Sequence, residues 1–202
     1  DHVDFNTAAA FPLTFLTAWQ MLLTRARLQF GDDVLVIAGG SGVGQAAIQI
    51  AKIHGARVFA TAGNDSKLTK SRELGADAAI NHYDEDLPAR IRELTDGRGV
   101  DIVVEHVGEA TWDRSLRCLA KGGRLVTCGA TTGYKSNVDL RFLFVRQLSL
   151  LGSYMGSKGE LWKAAELFFS GRLNPVIDSC FSLEQAAEAH TRLESSNHFG
   201  KI

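Results

Sequence analysis

Four glycines lie within six residues of this 202-residue chain, in the segment Gly39-Gly40-Ser41-Gly42-Val43-Gly44. An apolar run at 33–38 precedes them, and an apolar helical pattern at 45–51 follows. Such a strand-to-helix turn presents unpaired backbone N–H groups and the positive end of a helix dipole, and the absent side chains let an anion approach. An ordinary tight turn needs one or two glycines, not four. The segment therefore predicts a phosphate site with the contacts Ser41, Gly42, Val43 and Gly44.

The spacing of these glycines fits a dinucleotide motif in two registers. A G-x-G-x-x-G pattern starting at Gly39 has Ser41 in place of its second glycine, and a serine hydroxyl can still donate to a phosphate. A G-x-G-x-x-A pattern from Gly42 to Ala47 would lie one turn too deep in the helix. We prefer the first register, which favours binding of the diphosphate of a dinucleotide.

The tip of the second predicted strand concerns the ribose of that dinucleotide. Domains that take NAD usually place Asp or Glu there, which binds the ribose hydroxyls and would repel a 2′-phosphate. Here Ala62 stands at the tip, and Asn64 and Lys67 supply donors nearby. Asp65 is predicted to be the N-cap of the next helix. We expect NADP to be preferred over NAD, with Ala62, Asn64 and Lys67 as contacts.

Short β-rich runs alternate with helical patterns about six times along the chain, which predicts successive βαβ units. The expected fold is a doubly wound parallel six-stranded sheet in three α/β/α layers, a Rossmann fold. Strands are predicted at 33–38, 57–61, 78–81, 101–105, 123–128 and 147–152, and helices at 43–54, 66–74, 85–94 and 110–119. A helix from Pro12 to Thr24 precedes them, and a helix at 158–169, a strand at 176–181 and a helix at 183–193 follow. Residues 140–146 are either part of the edge region or a helix packed on it.

Composition limits the classes of partner. Lys and Arg number 22 against 23 for Asp and Glu, so no overall field favours nucleic acid or an anionic membrane. The apolar stretches are too short to span a bilayer and no signal peptide is recognised, so we expect a soluble cytoplasmic protein. Cys118, Cys128 and Cys180 lack metal-ligand spacing, which predicts buried free thiols and no zinc site within this chain.

Four segments together resemble the medium-chain dehydrogenase/reductase superfamily, in its quinone-oxidoreductase-like and alcohol-dehydrogenase-like branches. They are Ala-Ala-Ala-Phe-Pro-Leu-Thr-Phe-Leu-Thr-Ala-Trp at 8–19, the turn at 38–44, Glu-Leu-Gly-Ala-Asp at 73–77 and Lys-Gly-Gly-Arg-Leu-Val at 121–126. The resemblance implies that 1–202 form the dinucleotide-binding domain, with a linker helix at 6–30. It also implies a GroES-like catalytic domain that is absent from this sequence, so we expect the chain alone to bind cofactor without turnover and assign no catalytic residue.

The resemblance further implies cofactor contacts at the ends of the later strands. His106 and Val107 would line the ribose and adenine side, with a backbone contact the safer expectation for His106. Gly129 and Ala130, with Ser153 and Met155, would frame the nicotinamide. The implied reaction is hydride transfer between the nicotinamide and a quinone, an enone or an aldehyde.

Several departures and alternatives stay open. Leu13 stands where zinc-dependent relatives carry a Cys ligand, which favours a zinc-free reductase over a zinc-dependent alcohol dehydrogenase. In relatives a Tyr near the NADP phosphate often follows Ile-Asn directly. Here His82 follows Ile80-Asn81 and Tyr83 comes one residue later, so this phosphate contact stays open. A methyltransferase would require an acid where Ala62 stands, and a non-catalytic nucleotide-binding module is a further alternative. The apolar edge strand at 147–154 predicts a homodimer.

Overall fold

A computed structural model describes residues 3–202. Its centre is a sheet of six parallel strands in the order β3-β2-β1-β4-β5-β6, as expected for a doubly wound fold. The strands are β1 (Asp33–Val36), β2 (Arg57–Ala62), β3 (Ala78–Asn81), β4 (Val100–Glu105), β5 (Leu119–Thr127) and β6 (Ser149–Gly152). The predicted fold class is therefore confirmed.

Helices cover both faces of this sheet. They are α1 (Phe5–Ala10), α2 (Pro12–Trp19), α3 (Gly42–Ile53), α4 (Asp65–Glu73), α5 (Leu87–Leu94), α6 (Trp112–Cys118), α7 (Leu140–Val145), α8 (Lys158–Phe169) and α9 (Ala186–Glu194). A π-helix, Gln20–Arg25, continues α2, and a 3-10 turn, Leu183–Gln185, precedes α9. No helix between residues 3 and 202 is long and apolar enough to cross a membrane.

The alternation of β1 explains how one strand supports two layers. Val34 and Val36 belong to a buried cluster with α2, α3 and α8, whereas Leu35 and Ile37 belong to a second cluster with α5 and α6. Successive side chains of a strand point to opposite faces, so a strand covered on both sides is apolar throughout. This double burial fixes the end of β1, where the glycine turn begins.

An ion cluster ties the amino ends of three strands together. The buried carboxylate of Asp33 accepts hydrogen bonds from Arg57 Nε at 2.6 Å and Arg98 Nη2 at 2.6 Å. Asp101 accepts from the same Arg98 and from the backbone N–H of Asp33. This edge is occupied by matched charges, so a ligand site is expected at the opposite, carboxyl edge.

Two predictions of secondary structure were wrong. Residues 176–181 form no strand, since their pairing is limited to an isolated bridge between Ile177 and Lys201. The N–H groups of Asn174 and Val176 donate instead to side chains of α3, which competes with strand pairing. The N-cap of α4 is Asn64, whose side chain accepts from the Lys67 N–H, and Asp65 is the first helical residue.

Thiol burial was predicted correctly for Cys118 but not for Cys180, which is exposed because the segment around it lies outside both buried clusters. Cys128 is half-buried.

Residues 140–146 form a helix, α7, which is the second of the two alternatives predicted for this segment. Gly55, Gly75 and Gly97 follow the ends of α3, α4 and α5, and their φ values of 81°, 108° and 84° lie in the left-handed region that favours glycine after a helix.

Candidate functional site at the carboxyl edge of the sheet

The glycine turn joins β1 to α3 and is fixed from within. Ser41 is the N-cap of α3, and its hydroxyl oxygen accepts the N–H of Gly44 at 2.8 Å. A Cβ at Gly44 would lie 2.3 Å from the carbonyl oxygen of Ala38, so a glycine is required for the helix to start this close to the strand. Gly44 belongs to both candidate registers, so this contact explains the glycine without choosing between them.

The backbone of this turn is suited to bind an anion. No residue between 3 and 202 accepts a hydrogen bond from the N–H groups of Gly40, Gly42 or Val43, at the positive end of α3. A Cβ at Gly42 would lie 2.9 Å from Cδ of Lys201, so a lysine side chain crosses the helix start. Free donors, a helix dipole and a nearby cation are the features that a diphosphate requires.

A cavity of about 350 Å³ opens beside the turn, between the ends of β1 and β2. It brings together four of the predicted contact residues, Ser41, Ala62, Asn64 and Lys67. Its tip carries no carboxylate, because Ala62 and Gly63 stand where an acid would bind ribose hydroxyls. The remaining lining residues include Thr61, His82, Tyr83 and the segment 195–198.

Tyr83 closes one side of this cavity. A Cβ at Gly63 would lie 2.6 Å from Cε2 of Tyr83, so the ring rests against the glycine backbone. His82 packs against the same ring, with 4.3 Å between ring centroids. Burial, followed by the positive charges of Arg114 and Lys67, lowers the pKa of His82, which favours its neutral form.

The segment 195–199, which we call the closing loop, forms the opposite wall. Lys67 Nζ donates to the carbonyl oxygen of Ser196, and Phe199 packs where a Cβ on Gly40 would be, 2.9 Å away. The buried carboxylate of Asp178 anchors the loop, accepting from the N–H of Phe199 at 3.0 Å and from Arg192 at 2.9 Å. Gly200 N–H then donates to the carbonyl of Gly40. The glycine turn and the closing loop are therefore one packed unit.

His106 links the glycine turn to the end of β4. Its Nε2 lies 3.1 Å from the hydroxyl of Ser41, so the side chain, and not only the backbone, reaches the turn. Burial lowers the pKa of His106 to about 4, which keeps the ring neutral near pH 7. A neutral ring can exchange a hydrogen bond with Ser41 without adding charge beside the anion site.

The residues predicted to frame a nicotinamide lie on the loops after β5 and β6, and the first of these loops contacts the loop after β4. A Cβ on Gly129 would be 3.1 Å from the carbonyl oxygen of His106, and the N–H of Ser153 donates to the carbonyl of Thr127 at 2.8 Å. The buried Glu105 carboxylate accepts from the N–H groups of Val107 and Gly108, which fixes the loop after β4. Ala130 and Met155 lie on the same loops. These ends are adjacent because β4, β5 and β6 are neighbours in the sheet.

Comparison with known proteins places this site in a family. A family model described as "Zinc-binding dehydrogenase" matches residues 42–170. The chain belongs to this family. It is also 31% identical to a crotonyl-CoA reductase of Streptomyces avermitilis, over 100% of this chain and 50% of that protein. A quinone oxidoreductase of Pseudomonas aeruginosa is 34% identical over 99% of this chain and 64% of its own length.

Solved structures of similar dehydrogenases share the fold closely. An NAD-dependent alcohol dehydrogenase superposes with a TM-score of 0.94 at 47% identity, over 98% of this chain and 58% of that one. A crotonyl-CoA carboxylase/reductase in complex with NADP gives 0.88 at 28% identity, over 94% and 53%. The expected membership of the dehydrogenase/reductase superfamily is confirmed, and the chain spans about half the length of the relatives first compared.

The family description names zinc, and a zinc site requires several His, Cys, Asp or Glu side chains close together. Across residues 3–202 no three His, Cys, Asp or Glu residues come together in a group that could hold a metal ion. Leu13 lies on α2 with 56% of its surface exposed. Leucine offers no ligand atom, so these residues supply no donor set for zinc.

Sequence reasoning missed the closing loop and Lys201 as parts of the site. Both are distant in sequence from the glycine turn, and nothing in their local pattern indicates a nucleotide contact. The adjacent positive-φ Gly200, whose N–H bonds to Gly40, marks where the chain returns to the turn. Thr61, in the last part of β2, could have been included because the carboxyl ends of the strands form the site, whereas the sequence analysis left the contacts of His82 and Tyr83 open.

Proposed function

We propose that this chain is the nicotinamide-dinucleotide-binding domain of an NAD(P)H-dependent oxidoreductase. The reaction proposed for the longer protein is hydride transfer between the nicotinamide and a quinone, an enone or an aldehyde. The observation that carries the proposal is the row of N–H groups at Gly40, Gly42 and Val43, which no group within residues 3–202 accepts, at the topological switch point between β1 and β4. The relatives named as a quinone oxidoreductase and a crotonyl-CoA reductase support the reaction class.

Each part of the carboxyl edge has a distinct proposed role. Ser41, Gly42, Val43 and Gly44 hold the diphosphate, and Ala62, Asn64 and Lys67 receive the adenosine ribose. His106 and Val107 line the ribose and adenine side. Gly129, Ala130, Ser153 and Met155 frame the nicotinamide. The cofactor supplies the hydride, so the task of this chain is to bind the cofactor and expose one face of its ring.

NADP is the proposed cofactor, with NAD as the alternative. The uncharged tip at Ala62 and the cation of Lys67 at the cavity rim favour a 2′-phosphate. The complex of a crotonyl-CoA carboxylase/reductase with NADP supports this choice, whereas the more similar alcohol dehydrogenase is named as NAD-dependent. Titration of the chain with NADPH and NADH compares the two, and tighter binding of NADH would reject the preference.

The diphosphate site has its own test by NMR. Amide resonances of Gly40, Gly42 and Val43 are expected to shift on addition of NADPH, because their N–H groups would gain acceptors. Gly31 and Gly97 serve as controls, since they lie toward the amino edge of the sheet. Saturable binding that leaves the first three amides unmoved would contradict the proposal.

The zinc-dependent alcohol dehydrogenase remains a second candidate for the longer protein, because the matching family is described as zinc-binding. Metal analysis of the full-length protein distinguishes the two: stoichiometric zinc that is required for alcohol oxidation would favour it. A turnover assay with NADPH and simple quinones or aldehydes tests the leading reaction. Absence of turnover despite cofactor binding would favour a non-catalytic nucleotide-binding module.

A homodimer through the edge of the sheet is proposed as well. Strand β6 pairs with β5 on one side, and its residues are exposed or half-buried. Near it, Phe144, Val145 and Tyr154 have 68%, 64% and 88% of their surface exposed. An unpaired apolar edge strand favours pairing with a second copy of the chain.

A further inference from the structure

The helix that precedes the sheet changes its winding at Gln20. Residues Gln20–Arg25 form a π-helix directly after α2, and the N–H of Ala26 donates to the carbonyl of Met21, five residues earlier, at 2.9 Å. Single π-turns inside helices are rare and often lie at functional sites. The side chains of this π-helix are therefore candidates for a functional role.

The π-turn places two side chains on one face that an α-helix would separate. In an α-helix, residues five apart point about 140° away from each other, given 3.6 residues per turn. In a π-helix, whose hydrogen bonds run from i to i+5, their directions differ much less, so both side chains can reach the same neighbouring segment. Gln20 and Arg25 are five apart, and both reach the chain that follows β6.

The contacts of these side chains converge on residues 152–155. Arg25 Nε donates to the carbonyl oxygen of Gly152 at 2.7 Å. With the Gln20 amide oriented so that its nitrogen faces acceptors, that nitrogen donates to the carbonyl of Tyr154 at 2.9 Å and to the carbonyl of Met155. Thr24 adds a hydrogen bond to Glu160, at the start of α8. The π-turn is therefore bound to the whole connection between β6 and α8.

This connection has an unfavourable backbone conformation that needs support. Met155 has a φ of 54°, in the left-handed region that non-glycine residues seldom adopt. Ser153 is fixed from the other side, by its N–H bond to Thr127. In the amide orientation given above, the half-buried Gln20 side chain holds the two peptides on either side of Met155.

We propose that Gln20 is a positioning residue for the nicotinamide half of the cofactor. It acts through the backbone of residues 153–155 and does not itself touch the adenosine half. The inference rests on the proposed function, in which Ser153 and Met155 frame the nicotinamide. Without the Gln20 amide, the loop at Met155 is free to relax toward commoner backbone conformations and to withdraw from the ring.

The test compares ligands that differ in the nicotinamide ring alone. NADPH and 2′-phospho-ADP-ribose form one pair, and NADH and ADP-ribose form the other, so the result does not depend on which cofactor is preferred. Dissociation constants are measured by calorimetry for the wild-type chain and for Q20L and Q20E. Leucine keeps the approximate size of the glutamine side chain but has no hydrogen-bond donor. Glutamate keeps its length, but a carboxylate oxygen would then face the carbonyl oxygens of Tyr154 and Met155 and be repelled by them.

Gln29 offers a matched control. Its Nε2 also donates to two backbone carbonyls, those of Arg27 and Leu28, but it lies just before β1, at the amino edge of the sheet. Q29L therefore removes a comparable pair of hydrogen bonds away from the loop at 153–155. Thermal unfolding of all variants shows whether a change in binding merely follows a loss of stability.

Q20L is expected to weaken NADPH binding about tenfold, equivalent to about 1.4 kcal/mol, and to leave 2′-phospho-ADP-ribose unchanged. Q20E should show the same selectivity with a larger loss, and Q29L should change neither ligand. An unchanged ratio in Q20L, or an equal loss for both ligands, overturns the positioning role while wild-type binding still supports the proposed function. Wild-type chain that binds neither pair would instead reject the proposed function itself.

Discussion

Asp178 anchors the closing loop, and replacing it by asparagine should loosen one wall of the cavity beside the glycine turn, where we propose that the adenosine ribose binds. The Asp178 carboxylate has 7% of its side-chain surface exposed and accepts from Arg192, Ser179 and the Phe199 N–H. Asparagine preserves the shape but removes the charge and one acceptor oxygen. In D178N, therefore, either Arg192 or the Phe199 N–H loses its partner.

The cost follows from the burial of the two partners. A hydrogen bond to a charged group contributes about 1.5–3 kcal/mol when it is well shielded. Arg192 keeps 39% of its side-chain surface exposed, and solvent replaces part of its interaction. We expect the free energy of unfolding to fall by about 2 kcal/mol, which corresponds to a decrease in Tm of roughly 4–8 °C for a domain of this size.

The matched control is D113N, which breaks the exposed pair between Asp113 and Arg117 on α6. Both side chains are more than 60% exposed, so this change should cost less than about 0.5 kcal/mol. Chemical denaturation measures both free energies, and NADPH titration measures the effect on the site. D178N should also weaken NADPH by about threefold or more, because fewer molecules hold the closing loop in place.

The same variant has a predictable pH dependence. Burial raises the pKa of Asp178, but the hydrogen bonds from the Phe199 N–H, Arg192 and Ser179 outweigh it and hold that pKa below its usual 3.8. A carboxyl whose folded pKa is depressed stabilises the fold above its unfolded pKa and loses that contribution as the pH falls through the folded value. The difference in stability between wild type and D178N should therefore narrow below about pH 4. Equal stability of D178N and D113N at pH 7 would refute the anchoring role of Asp178.

Three further predictions concern the rest of the site. A62D places a carboxylate at the tip of β2, so NADPH should bind about tenfold more weakly while NADH is retained or improved, and a uniform loss for both would contradict this reading. G44A puts a Cβ 2.3 Å from the Ala38 carbonyl and should destabilise the fold by about 1–3 kcal/mol. G159A, inside α8, puts a Cβ at an ordinary contact distance of 3.9 Å from Ser157 Oγ and should be neutral or stabilising, so similar denaturation midpoints would argue against the close strand–helix contact. Sedimentation of the wild-type chain at tens of micromolar should show a dimer that Y154D shifts toward monomer, and monomer throughout would reject the edge-strand interface.

Local patterns predicted most of the scaffold because its elements are determined by nearby residues. The apolar run of β1 specifies a strand buried on both faces, and the Asn64 and Ser41 caps mark helix starts that a sequence can indicate within a residue. The glycine at position 44 has a local cause, because its backbone approaches the Ala38 carbonyl too closely for a side chain. The error at 176–181 shows the limit, since α3 side chains took the hydrogen bonds that a strand would have used.

The amino-acid sequence by itself determined the sheet, its crossovers and the glycine turn, because each depends on side-chain periodicity or on a missing Cβ within a few residues. The tertiary structure alone decided what surrounds that turn. Pairings such as Ser41 with His106 and Asp178 with Phe199 join residues 65 and 21 positions apart, and Gln20 meets the loop at 153–155 only through a π-turn and the sheet edge. Such contacts arise when packing brings distant polar groups out of water together, and no local pattern records which partner each group will find.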